Sequence, residues 1–354
     1  MKKLLEMSLV FLCIGLSIGQ IPSQDIMALV EFKKGIRHDP TGYVLNSWND
    51  ESIDFNGCPS SWNGIMCDGV DVAAVVLDDL GLSAEVDLDV LSNLTKLVKL
   101  SLSNNSISGK LPENLGKFKS LQYLDISDNM FTSSLPSGIG QLVNLKNLSL
   151  AGNNFSGSIP ESIVGLASVR FVDMSRNSLS GTLPSSLTRL ESLVYLNLSQ
   201  NGFAKSIPKG FELLSHLEVL DLSGNMLDGD LDAEFLLLTT ASIVDFSSNS
   251  LVISAKEQEK FRFNISPSIK ALNLSHNQLT GLLVSNGEAP LENLRVLDLS
   301  YNQFSGDLPG FNFFYDLQVL KLGNNKFFGF IPNNLLNGDS LVLTELDLSG
   351  NNLT

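Results

Sequence analysis

From Val72 to the last residue, the apolar positions of this chain follow one recurring phrase. Leu97, Leu100, Leu102, Asn105, Ile107, Gly109, Leu111 and Pro112 return as Leu121, Leu124, Ile126, Asn129, Phe131, Leu135 and Pro136. The pattern is L-x-x-L-x-L-x-x-N-x-L-x-G-x-[I/L]-P. Its Asn stands at 105, 129, 153, 177, 201, 225 and 249, always 24 residues apart, and then at 277, 302, 325 and 351. An earlier, degenerate copy begins at Val72, Val75 and Leu77, with Leu80 in the Asn place. Seven of the twelve prolines share one repeat position, which leaves no room for a chance spacing. Periodicity of this length marks a stack of structural units, each too small to fold alone.

Elementary geometry gives each position its task. In x-L-x-L-x the two leucines point inward and their neighbours outward, which predicts a short strand in every copy. Stacked copies form a parallel sheet with strands about 4.8 Å apart, so eleven copies span roughly 50 Å. After the strand the chain turns inside the stack, where backbone donors and acceptors need partners away from water. Asn offers both, and an inward Asn column can bond the turns of its own and adjacent copies. Gly eases the next bend, Pro fixes φ on the return side, and Phe131, Phe155 and Phe203 fill the core. The expected fold is a leucine-rich-repeat solenoid. It is a curved right-handed superhelix with its parallel sheet on the concave face.

An open stack exposes its ends, so the flanking segments are read as caps. Ile26, Leu29, Val30 and Ile36 near one face predict an amphipathic helix over 25–35, preceded by Pro22 and Ser23 and stopped at Gly35. Asp39-Pro40-Thr41-Gly42 predicts a turn. Cys58 and Cys67, with eight residues between them, predict a disulfide that closes the first repeat together with Trp48 and Trp62. Residues 1–19 read as a signal peptide: Lys2 and Lys3, an apolar run from Ser8 to Ile18, and small residues at Ser17 and Gly19. The division is therefore 1–19 signal peptide, 20–71 cap, and 72–354 repeats, one degenerate plus about eleven. The chain stops at Asn351-Asn352-Leu353-Thr354, halfway through a copy, which leads one to expect a fragment with Leu346 and Leu348 poorly covered.

Composition narrows the chemistry. Acidic residues exceed basic ones, 38 against 23, for a net charge of −15. No basic run favours nucleic acid or direct contact with an anionic membrane. Three His and three Cys leave little for a metal site or cofactor, and none is expected. His38, His216 and His276 are far apart along the stack, with no nucleophile motif beside them. Carboxylates on adjacent strands would lie near 5 Å, as in a glycosidase, but a shallow sheet gives neither enclosure nor distinct environments. The segment is expected not to be an enzyme.

The cap residues Trp48, Cys58, Trp62, Gly64 and Cys67, and returns such as Phe155-Ser156-Gly157-Ser158-Ile159-Pro160, resemble the extracellular part of plant leucine-rich-repeat receptor-like kinases. The cap with the run from Val72 to Pro112 is similar to the guard-cell hydrogen-peroxide-resistance group, some of whose kinases are degenerate. The resemblance implies an extracellular module that binds a peptide or protein ligand together with a leucine-rich-repeat co-receptor. It also implies a membrane span and kinase-like domain outside these residues. A secreted inhibitor of wall-degrading enzymes and a truncated soluble decoy are the alternatives. The inhibitors carry a second N-terminal cysteine pair and a cysteine-bearing C-terminal cap, both absent here.

The outward strand positions supply the candidate site. Six of the eleven residues between the core leucines are Asp, and Tyr123, Phe171 and Tyr195 stand two places earlier. Tyr123, Asp125, Phe171, Asp173, Arg176 and Tyr195 are the candidate ligand contacts, suited to a basic or polar peptide. Leu-Asp-Leu-Ser is also the ordinary text of such repeats. The resemblance would supply an Arg-x-Arg pair for a ligand carboxylate; Lys321 followed by Gly323 is the nearest approach, which argues against a ligand bound by a free C-terminus. N-x-[S/T] sequons at Asn93, Asn104, Asn147, Asn154, Asn197, Asn264, Asn273 and Asn352 are candidate glycosylation sites. A longer interval at 252–268, with Lys256, Glu257, Glu259, Lys260 and Arg262, predicts an enlarged turn.

Overall fold

The computed structural model describes residues 23–49, 57–231, 238–253, 266–283, 293–308, 315–333, 335 and 342–354. The signal segment, Asn264 and the charged part of the 252–268 turn lie outside these residues.

Each repeat begins with a three-residue strand, such as Tyr123–Asp125 or Phe171–Asp173, and these strands join one 13-stranded sheet. Its pairing is parallel throughout the repeats and in constant register, so that Tyr123, Asn147, Phe171 and Tyr195 stand side by side. The longer interval at 249–277 does not interrupt it: Ile243 still pairs with Ala271. Extra residues are therefore absorbed in the return half of the repeat. The central strand residue and the leucines beside it form one continuous core from Ile26 to Leu335.

The Asn column is the spine of the stack. In all eleven copies Nδ2 donates to a backbone carbonyl of the preceding repeat. In all eleven Oδ1 accepts a backbone N–H of that repeat. The residue before each Asn takes a left-handed turn, with φ between 50° and 66° from Asn104 to Gly350. Only three of these turn residues, Gly152, Gly224 and Gly350, are glycine. The strain this imposes on the others is held by the amide bonds on either side.

On the return side a second set of short strands forms a seven-stranded sheet ending at Phe203 and a four-stranded sheet beginning at Thr280. Pro136, Pro160 and Pro184 then open tight 3-10 turns on the convex side, each with φ near −70°. Gly140 and Gly165 let two of these turns meet backbone to backbone, since a Cβ on either would collide with a carbonyl of the neighbouring turn.

The cap forms as expected, with one correction. Helix α1 spans Gln24–Lys33, its first turn capped by Ser23, whose Oγ accepts the Ile26 N–H. Ile36 is not on the helix; it begins the strand Ile36–His38, which pairs antiparallel with Ser83–Asp87. Gly35 is needed for that crossing, because a Cβ there would strike the Glu85 carbonyl. Trp48 stacks on Trp62 with ring centres 5.3 Å apart, and both are 2% exposed. The Cys58–Cys67 disulfide ties this pair to the hairpin Ile65–Asp68 and Asp71–Val76, which starts the main sheet. At the other end Leu346 and Leu348 are half-buried, whereas their counterparts Leu320 and Leu322 are wholly enclosed.

Candidate functional site

The concave surface consists of the two outward residues of each strand. The second of them has a local duty. Asp125, Asp173, Asp221, Asp245, Asp298 and Asp347 each accept, through Oδ1, the N–H of the Ser two residues on. Asn197 and Asn273 stand in the same column and make the same bond with Ser199 and Ser275. An amide therefore serves the turn as well as a carboxylate does, and the negative charge is not required by the fold.

The sequence cluster divides into three parts. Phe171 and Tyr195 meet on adjacent strands, their rings stacked at 4.4 Å and 9°. Asp173 shares their surface; burial holds the Tyr195 phenol above its ordinary value, against the hydrogen bond from Asn197, and the charges of Asp173 and Asp221 add to it. Tyr123 and Asp125 lie two strands away, separated by Asn147 and Ser149, so they are not in contact with that pair. Arg176 is not on a strand at all. It occupies the left-handed turn and reaches back across a repeat to Asp128, with Nη1–Oδ1 at 2.8 Å and Nη2–Oδ2 at 3.3 Å. The ion pair passes over Gly152, where any side chain would collide with Asp128. Asp128 raises the Arg176 pKa, so this guanidinium is already engaged.

What sequence reasoning missed is the continuation of the aromatic column. After Phe171 and Tyr195 the register places Val219, Ile243, Ala271 and Val296 in line on the same face. Beside them runs Asp173, Asn197, Asp221, Asp245, Asn273 and Asp298. An apolar stripe and an acidic stripe thus lie parallel over six strands. The signal was present in the repeat spacing, since each of these residues immediately precedes the strand's central apolar residue; only the bulky rings drew notice. Asp245 is half-buried, and burial raises its pKa despite bonds from Ser247 and Asn273. Next along, Lys321 ends the acidic stripe and pairs with Glu345 at 2.9 Å, while Val319 carries the apolar stripe one strand further, to Glu345. His276 and Tyr301 stack at 4.2 Å in the left-handed column, a second aromatic pair not foreseen.

Among the sequons, Asn93, Asn104, Asn154 and Asn352 are exposed, and Asn147 is half-buried on the sheet. Asn197 and Asn273 are held at both ends: Oδ1 by the following Ser, Nδ2 toward the Tyr195 hydroxyl and Asp245 respectively. Among the described residues no three His, Cys, Asp or Glu converge as cation ligands, and no helix is long and apolar enough to cross a membrane.

Comparison with known proteins bears on this surface. The leucine rich repeat N-terminal domain family matches residues 22–68, and leucine rich repeat families match 96–118, 119–164, 172–227, 266–282, 293–313 and 340–354. The chain is 72% identical over all 354 residues to the Arabidopsis thaliana LRR receptor-like serine/threonine-protein kinase GHR1, and spans 33% of that protein's length. The plant peptide hormone receptor RGFR1 in complex with RGF2 is similar over 76% of this chain and 42% of its own, at 31% identity and a TM-score of 0.68. The Arabidopsis receptor kinase HAESA, in complex with the peptide hormone IDA and the co-receptor SERK1, is similar over 94% of this chain and 66% of its own, at 28% identity and a TM-score of 0.57.

Proposed function

The chain belongs to the leucine-rich-repeat family, in the form carried by plant receptor-like kinase ectodomains, and from that premise we propose that it is an extracellular recognition module of such a receptor. Its ligand is a peptide or small protein bound on the concave sheet, and a second leucine-rich-repeat ectodomain joins as co-receptor. The observation that carries this reading is the concave surface itself. Its outward residues include stacked rings and carboxylates whose charge the fold does not need. The solved relatives named above hold peptide hormones, and one of them also a co-receptor.

The repeats bind and do not catalyse; any phosphoryl transfer would belong to a kinase-like domain outside these residues. The 1–19 segment directs the chain into the secretory pathway, 20–71 caps the stack, and 72–354 present the binding face at the outer side of the plasma membrane. Within the sequence-derived cluster, Phe171, Asp173 and Tyr195 form the contact surface. Tyr123 and Asp125 extend it on the N-terminal side, and Arg176 positions the neighbouring turn.

The test uses the full chain expressed through a plant secretory pathway and immobilised. Peptides captured from extracellular plant fluid are identified by mass spectrometry, with Phe171→Ser/Tyr195→Ser as the comparison. Capture lost in the variant supports the reading. Capture unchanged by it, or inhibition of a microbial polygalacturonase by the chain, refutes it.

A further inference from the structure

We propose that the concave face between Phe171 and Asp298 reads an extended peptide whose side chains alternate apolar and basic, an inference that rests on the recognition reading above. Three observations carry it. First, the two stripes are separated by two residues along each strand, about 6.8 Å. A peptide lying in the valley between them and running across the strands turns alternate side chains to either side, one set toward Ile243 and Val296, the other toward Asp221 and Asp298. Second, the carboxylates are surplus to the fold. Asn197 and Asn273 hold the same serine turns without charge, so the aspartates add a field that the repeat does not use. Third, both stripes are bounded. The strand Asn147–Ser149 offers neither an apolar residue nor a carboxylate on this face; at the far end Lys321, paired with Glu345, interrupts the acidic stripe, and the apolar one runs one strand further to Val319 before Glu345 ends it.

The bounded length specifies the ligand. Six strands at about 4.8 Å give roughly 24 Å, which an extended chain covers with about seven residues. Charge complementarity selects Lys or Arg for one set of side chains, and the stripe's mixture of rings and β-branched residues selects aliphatic or aromatic partners for the other. Among the described residues, Lys321 is the one cation in the column of the acidic stripe, and it is engaged by Glu345 beyond the stripe's end. The two sequons on the acidic stripe must then carry no glycan, consistent with the bonds at both ends of each amide.

The experiment titrates the full secreted chain with three acetylated, amidated octapeptides: alternating Lys–Leu, alternating Glu–Leu and alternating Lys–Ser. The Lys–Leu peptide is expected to bind at least about tenfold more tightly than either other one, and to weaken as salt rises. Asp221→Asn with Asp298→Asn should cost about tenfold in its affinity, with the serine turns kept intact by the amides. Equal binding of Lys–Ser would reduce the effect to net charge and overturn the inference. So would equal binding of Glu–Leu, or indifference to the double variant. A natural ligand whose capture needs Phe171 and Tyr195 but ignores Asp221→Asn/Asp298→Asn would sink this inference and leave receptor recognition standing.

Discussion

Asn153→Ala isolates the element that holds the repeats together. Asn153 is 8% exposed and sits in the regular part of the stack. Its Oδ1 accepts the Phe131 N–H at 2.9 Å, and its Nδ2 donates to the carbonyls of Ile126, Leu150 and Ala151 at 2.9, 3.1 and 3.2 Å. These four groups differ in what remains to them. The Leu150 carbonyl keeps Asn177, and the Ala151 carbonyl keeps the Asp128 N–H. The Ile126 carbonyl keeps only a 3.3 Å bond from Asn129. The Phe131 N–H loses its partner beside a ring that is fully buried. One buried orphan and one half-satisfied carbonyl, at about 1–3 kcal/mol for a lost bond, put the cost near 3 kcal/mol. That is a large share of the roughly 5–15 kcal/mol that holds a folded domain. Because repeats couple mainly to their neighbours, hydrogen exchange is the sharper readout. Amides over 126–134 should lose protection in the variant while the cap over 57–76 keeps its own. A urea midpoint shift worth less than 0.5 kcal/mol, with Phe131 still protected, would refute the reasoning.

Other substitutions probe separate claims. Gly152→Ala should cost about 1–2 kcal/mol and break the Arg176–Asp128 pair, since the position needs a left-handed φ and has no room for a Cβ. Gly69→Ala, equally left-handed but with open space around it, is the control and should lower the melting temperature less. Cys58→Ser with Cys67→Ser should destabilise the cap by about 2–3 kcal/mol, read from Trp48 and Trp62 fluorescence in urea. Burial acts to raise the Asp39 pKa, but the N–H groups of Leu45, Val44 and Tyr43 and the Thr41 hydroxyl outweigh it, so the carboxyl titrates below its ordinary 3.8. Its stabilisation is thus full above that value and fades as pH falls beneath it; Asp39→Asn should flatten the cap's pH dependence below about pH 4. Glycan mapping by mass spectrometry should find Asn93 and Asn154 occupied and Asn197 and Asn273 bare.

Much of the fold was legible because its cause is local and repeated. The L-x-L triplets fixed which side chains face the core, the Asn column required partners in the next repeat, and the prolines opened the convex turns; each residue acts within about one repeat of itself. Ile36 was misplaced for the opposite reason. Its apolar spacing suits a helix, but its strand is set by Ser83–Asp87, nearly fifty residues on, which no local pattern contains.

The site shows the same division. Sequence alone determined that Tyr123, Phe171 and Tyr195 would share a face with a run of aspartates, because side-chain alternation along a strand is obligatory. It could not determine which of them touch. Arg176 followed Asp173 so closely in the chain that it looked like part of the cluster. The left-handed turn sends it instead to Asp128, across a gap that exists only because Gly152 has no side chain. The register of the sheet, carried unbroken through a 28-residue interval, aligned Val219, Ile243, Ala271 and Val296 into a stripe with the rings. Alternation is a property of one strand and is written in its residues. Alignment between strands, and the reach of a long side chain over its neighbours, come from stacking and are decided only when the repeats close on one another.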